Sequence, residues 1–172
     1  MEITEESSSS GKRKANPLNY KRNVIKKSRV PRKPYTNYKG DSIPSKVMPP
    51  PPLRSCNAKC FEKLPGKEFD ENYERFYSLD NKDSQDMFLQ GLINIRDIQR
   101  RRARVQIGNK PKAYASVYHV YKRSVKEKVC LSAFTLVYGI TPGRVRRVRD
   151  LGALGKSPKD KRGKNPSINK LR

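Results

Sequence analysis

Four arginines, Arg144, Arg146, Arg147 and Arg149, are spaced so that a helix from Pro142 to about Leu151 carries them beside an apolar seat of Val145, Val148 and Leu151. At about 100° per residue, Arg146 points directly away from that seat, Arg147 and Arg149 flank it, and Arg144 lies nearer the apolar edge. Guanidinium groups so displayed can bond guanine edges bidentately or clamp phosphates, and a helix N-terminus favours anions. A second set, Arg100, Arg101, Arg102 and Arg104, would sit well along a phosphate backbone, although a solvated basic face fits the same residues equally. Lys161, Arg162 and Lys164 stand in a tail punctuated by Gly163 and Pro166, which suits phosphate contacts that read no bases.

Other chemistry has less support. Cys56, Cys60, Cys130 and the sole histidine, His119, are zinc-ligand types, but one Cys-x3-Cys pair without a second close pair favours ordinary thiols. No metal and no cofactor is therefore expected. His119 has neither a nucleophile nor paired carboxylates near it in sequence, which argues against acid-base work. Metal-assisted phosphoryl chemistry needs clustered carboxylates, and those of the second half are scattered, so no enzyme is expected.

Charge sets the partner class. Forty Lys and Arg against sixteen Asp and Glu give a net charge of +24, a balance that points to a polyanion. Residues 87–172 hold 22 of the basic residues and only four acidic ones, Asp97, Glu127, Asp150 and Asp160. An odd number of cysteines and no leading apolar stretch point to a reducing compartment without disulfides. No window approaches a membrane span, and arginine clustering beside an apolar pattern favours nucleic acid over acidic lipid. DNA leads. A structured-RNA or ribosome-associated protein, with Tyr114, Tyr118 and Tyr121 stacking on bases, is the alternative; an adaptor docking through its prolines is the third reading.

These side chains need a scaffold. Residues 1–53 read as a disordered basic arm ending in a polyproline spacer at Met48–Pro52, with Lys12, Arg13 and Lys14 followed by Lys26 and Lys27 as a bipartite nuclear-import address. Residues 54–154 read as a mainly α-helical domain and residues 155–172 as a flexible basic tail. Phe69, Tyr73, Phe76 and Tyr77 share one helical face, and Ser84 is a candidate cap for a second helix carrying Phe88, Leu92 and Ile95. Residues from Ile95 to Arg104 either continue that helix or form an exposed basic segment. Tyr114, Val117, Tyr118, Val120 and Val125 suggest one hairpin, with its turn within Lys122–Lys128.

The stretch from Val129 to Leu151 reads as two short helices joined at Gly139, with Ile140 as a buried turn residue, Thr141 as N-cap and Pro142 in the first turn. It is similar to the DNA-binding helix-turn-helix, in which aliphatics follow the turn glycine by six and nine residues, here Val145 and Val148 after Gly139. Thr135 stands where that motif usually has a small alanine. In order, Cys56-Asn57-Ala58-Lys59-Cys60, Arg100-Arg101-Arg102, Val129-Cys130 with Phe134, Gly139-Ile140-Thr141 with Arg144, and the basic run from Gly155 to Lys164 also resemble the N-terminal region of uncharacterised, transposon-related (transposase-like) proteins abundant in insects. Asn165 departs from that family's histidine. The resemblance, over about residues 54–165, implies a DNA-binding front end or derived fragment and does not imply strand transfer.

Overall fold

The computed structural model describes residues 16–48, 50, 56–99 and 113–159. A 3-10 turn (Pro17–Asn19) leads into α1 (Lys21–Arg29) and a small hairpin of β1 (Tyr35–Thr36) and β2 (Ser42–Ile43). Helices α2 (Cys60–Lys63), α3 (Gly66–Tyr77) and α4 (Lys82–Gly91) follow, then β3 (Ile93–Asp97), β4 (Tyr114–Lys122) and β5 (Val125–Val129). The chain closes with α5 (Leu131–Val137) and α6 (Pro142–Ala153). No helix among the described residues is long and apolar enough to cross a membrane.

The expected mainly α-helical domain is therefore corrected to a mixed α/β architecture: β3, β4 and β5 form an antiparallel three-stranded sheet packed against the helices. The helical reading failed after Leu92. Ile93 and Ile95 fit a helical face with Phe88 and Leu92, but they also alternate with Asn94 and Arg96. β-branched residues on a period of two, just beyond Gly91, favour a strand. Ile93 duly pairs with Tyr118 and Ile95 with Ser116. Asn81, not Ser84, caps α4: its side chain accepts the Ser84 amide at 2.7 Å.

Phe76, Phe134, Tyr138, Leu89, Leu92, Val120 and Val148 form the centre of one core. The Tyr138 ring is fully buried, 5.3 Å from that of Phe76 and 5.1 Å from that of Phe134. Its hydroxyl donates to Asn72 Oδ1 at 3.2 Å. Asn72 accepts the Tyr121 amide at 3.0 Å and donates to the Tyr121 carbonyl at 2.6 Å, so α3 completes the hydrogen bonding of β4 through one buried amide.

Parts of the segments on either side of the domain make contacts with it. Ile25 of α1 is buried, and Gln85 donates to the Val30 carbonyl at 3.0 Å. Arg32 lies 4.4 Å from the Tyr77 ring, donates to the Tyr73 hydroxyl at 2.8 Å and reaches the Gly139 carbonyl. A guanidinium stacked on aromatics anchors a segment with too few apolar side chains to be held by burial alone. At the other end, Gly155 adopts φ +62°, and the Lys156 amide closes back onto the Leu151 carbonyl at 2.9 Å. Pro158 is buried, so residues 155–159 belong to the packed unit.

Candidate nucleic-acid interface

The helical pair takes the form its sequence prescribes. The Cys130 sulfur accepts the Ala133 amide at the start of α5, while Phe134 and Val137 face the core. Gly139 sits at φ +54°, Ile140 is buried, and the Thr141 hydroxyl accepts the Arg144 amide at 3.3 Å.

The four arginines of α6 are not equivalent. Arg144 turns inward, giving Nε to Asp86 Oδ1 at 2.7 Å and Nη2 to Gln85 Oε1 at 3.0 Å, with its guanidinium 5.4 Å from the Phe76 ring. Arg147 gives Nη1 to Asp86 Oδ2 at 2.8 Å and Nη2 to the Lys159 carbonyl at 2.9 Å. Lys82 joins the same carboxylate. Burial pushes the Asp86 carboxyl up, but Lys82 and Arg144 more than reverse this and hold it below its usual range. Arg149 pairs with Asp150 at 2.7 Å and lies 5.5 Å from the Tyr114 ring, whose hydroxyl also donates to Asp150. Arg146 alone of the four is exposed without a hydrogen bond to any described residue.

Facing the first turn of α6 is a groove of about 720 Å³ whose opposite wall is α1. Arg22, Lys26, Arg29, Arg32 and Lys46 line it, together with Lys82 and Arg144, and no acidic residue does. The turn residues Gly139, Ile140 and Thr141 form its floor. Gly143, one position into α6, is exposed, and the Asp86 carboxylate lies behind this surface with no exposure to solvent. Cationic side chains on one wall and a helix N-terminus on the other suit an oxyanion.

Of the other expected contacts, Lys26 and Lys27 are exposed on α1. Arg100, Arg101, Arg102 and Arg104, the tail residues Lys161, Arg162 and Lys164, and Lys12, Arg13 and Lys14 lie outside the described residues, as do residues 49 and 51–55 of the proline-rich stretch. The tyrosines considered for base stacking are engaged within the fold: the Tyr118 ring lies 5.3 Å from that of Phe134, that of Tyr121 lies 6.2 Å from that of Phe88, and Tyr114 is bound to Asp150. His119 lies on β4, its Nδ1 3.2 Å from the Leu92 carbonyl oxygen.

The three cysteines converge: the sulfurs of Cys56, Cys60 and Cys130 all lie within 4.8 Å of one another, without His119. The Cys60 amide brings the Cys56 thiol down to about 7, whereas burial pushes that of Cys60 up to about 11.

Sequence reading missed Asp86, Gln85 and Arg32. One available signal was that Asp86 precedes Leu89 by three residues, so an acidic residue falls on the apolar face of its helix and requires a buried cation. No family model, curated protein or solved structure matches the chain.

Proposed function

We propose that this protein binds nucleic acid without catalysing a reaction, takes duplex DNA in preference to structured RNA, and acts in the nucleus, with Lys12, Arg13, Lys14, Lys26 and Lys27 as its import address. The observation that carries this reading is the acid-free groove between α1 and the first turn of α6, bordered by the turn of the helix-turn-helix-like pair. Arg22, Lys26, Arg29 and Lys46 track phosphates, and exposed Arg146 is the residue of α6 best placed to reach a base edge. Arg144 and Arg147 hold α6 in place through Asp86, and Arg149 ties it to β4 through Asp150 and Tyr114. The packing of the Tyr118 and Tyr121 rings against the core favours DNA over an RNA partner that stacks on those rings.

The test is a salt titration of duplex binding. Each phosphate contact contributes about 0.9 to the slope of log affinity against log salt. Replacing Arg22 and Lys26 with Gln should therefore flatten the slope by roughly 1.8. Gly143→Glu separates binding from folding, because no bulky neighbour opposes the new side chain. A carboxylate in the first turn stabilises the helix but repels phosphate. Weakened binding by a fold at least as stable as wild type supports the assignment, and unchanged binding and slope in both variants reject it. Structured RNA outcompeting duplex at fixed salt would reject the DNA preference.

A further inference from the structure

We propose that Cys56, Cys60 and Cys130 bind one zinc ion as a trithiolate centre, with the fourth tetrahedral position taken by water. The chain has three cysteines in 172 residues, and all three meet although Cys130 lies seventy positions from Cys60. Thiols scattered as small apolar core residues have no reason to converge.

Each sulfur also receives a backbone amide. Cys60 N–H donates to Cys56 Sγ, Cys130 N–H to Cys60 Sγ and Ala133 N–H to Cys130 Sγ, all at 3.3 Å. A neutral thiol is a weak acceptor, whereas three thiolates held together need donors to spread their charge, as the outer partners of metal sites do. The turn is shaped for the purpose. Lys59 is held at φ +50°, and its amide closes on the Cys56 carbonyl at 2.7 Å, which folds the Cys-x3-Cys segment so that both sulfurs face Cys130.

Zinc bonds thiolate at about 2.3 Å in a tetrahedral site, which sets neighbouring sulfurs about 3.8 Å apart. Sulfurs within 4.8 Å of one another reach that spacing by small side-chain rotations. No histidine or carboxylate among the described residues joins them, and Cys56 and Cys130 are only half-buried, which leaves the fourth corner to solvent. Three soft donors favour zinc over hard cations such as magnesium and calcium. Because Cys130 is the N-cap of α5, the ion would pin the Cys56–Cys60 turn to the start of the helical pair.

The test uses the full chain, reduced and stripped of metal, titrated with cobalt(II) and then with zinc, with native mass spectrometry in parallel. One cobalt per chain, a thiolate charge-transfer band with the visible bands of tetrahedral cobalt, and displacement of cobalt by zinc are expected. Cys56→Ser should weaken zinc binding more than about tenfold, the least that loss of even an outer partner costs. Cys56→His should retain zinc and shift the cobalt spectrum, which shows that ligation and not folding is being read. Absence of the charge-transfer band, equal zinc affinity in wild type and Cys56→Ser, or a disulfide-bonded chain that takes up no metal after reduction would each overturn the proposal.

Discussion

Replacing Asp86 with Asn tests whether Arg144 and Arg147 serve the fold or a partner. The Asp86 carboxylate is wholly buried and meets Lys82, Arg144 and Arg147. The amide preserves shape but removes the only negative charge in the group and sets an NH2 against a cation. Breaking a buried ion pair costs about 3–5 kcal/mol. The partners keep side-chain exposures of 20%, 21% and 41%, so solvent screens part of the loss and about 2–3 kcal/mol is expected. For a unit of this size, at about 4 °C per kcal/mol, the melting temperature should fall by roughly 8–12 °C. Urea denaturation followed by far-ultraviolet dichroism at neutral pH measures the loss, and repeating it with Arg144→Ala closes a double-mutant cycle with an expected coupling above about 1 kcal/mol.

The acid limb provides a second reading of the same group. Since the folded carboxyl is held below its unfolded value, its contribution is fully present above the unfolded pKa of about 4 and is lost as pH falls through the folded one. The Asp86→Asn protein should lack that part of the acid-induced decline. A denaturation midpoint that moves by less than about 0.5 kcal/mol in equivalent stability, with an unchanged acid limb, would show that the two arginines are available to a polyanion and that their structural assignment is wrong.

Three further substitutions probe single features. Arg123 and Ser124 form the turn between β4 and β5 with φ of 46° and 68°, so Ser124→Gly should raise stability by about 1 kcal/mol in urea without altering duplex affinity. Gly139→Ala should lower it by more than about 1 kcal/mol, because a Cβ at φ +54° would also stand 2.8 Å from the Arg32 guanidinium; thermal melting should show the loss, and duplex binding measured well below the melt should weaken as Arg32 is displaced. Asn72→Ala strands the Tyr121 amide and carbonyl and the Tyr138 hydroxyl, so about 3 kcal/mol should be lost and the Tyr121 amide should exchange faster with deuterium.

What the sequence disclosed was what it encodes locally. Gly139, Thr141 and Pro142 act within one turn of their own positions, and the Val145 and Val148 stripe acts within one helix, so propensity and capping sufficed to place α5 and α6. The sheet was half legible. Tyr114 to Val120 has strand character along its length, but β3 depends on pairing with β4 across an intervening segment, and its two isoleucines satisfy helical and strand periods alike. The docking of α1 was not legible, because one buried isoleucine and one arginine on two tyrosines leave no periodic trace.

The basic surface shows why charge pattern and helical phase could not separate binding cations from structural ones. Both describe a side chain relative to its own helix, whereas the role of Arg144 is decided by Asp86, fifty-eight positions earlier on α4. One buried carboxylate offsets one of the three positive charges of Lys82, Arg144 and Arg147 and holds those side chains to itself, so a count of basic residues around α6 overstates what a phosphate there would meet. The balance shifts to α1, whose Arg22, Lys26 and Arg29 come from a segment that composition alone assigns to a loose arm. Folding that segment against the N-terminus of α6 turns sequence-remote charges into one acid-free wall. Attraction between unit charges falls as the inverse of distance and is screened beyond about 8 Å at physiological salt. Placement within that range, more than the total of +24, therefore sets where a polyanion would be held.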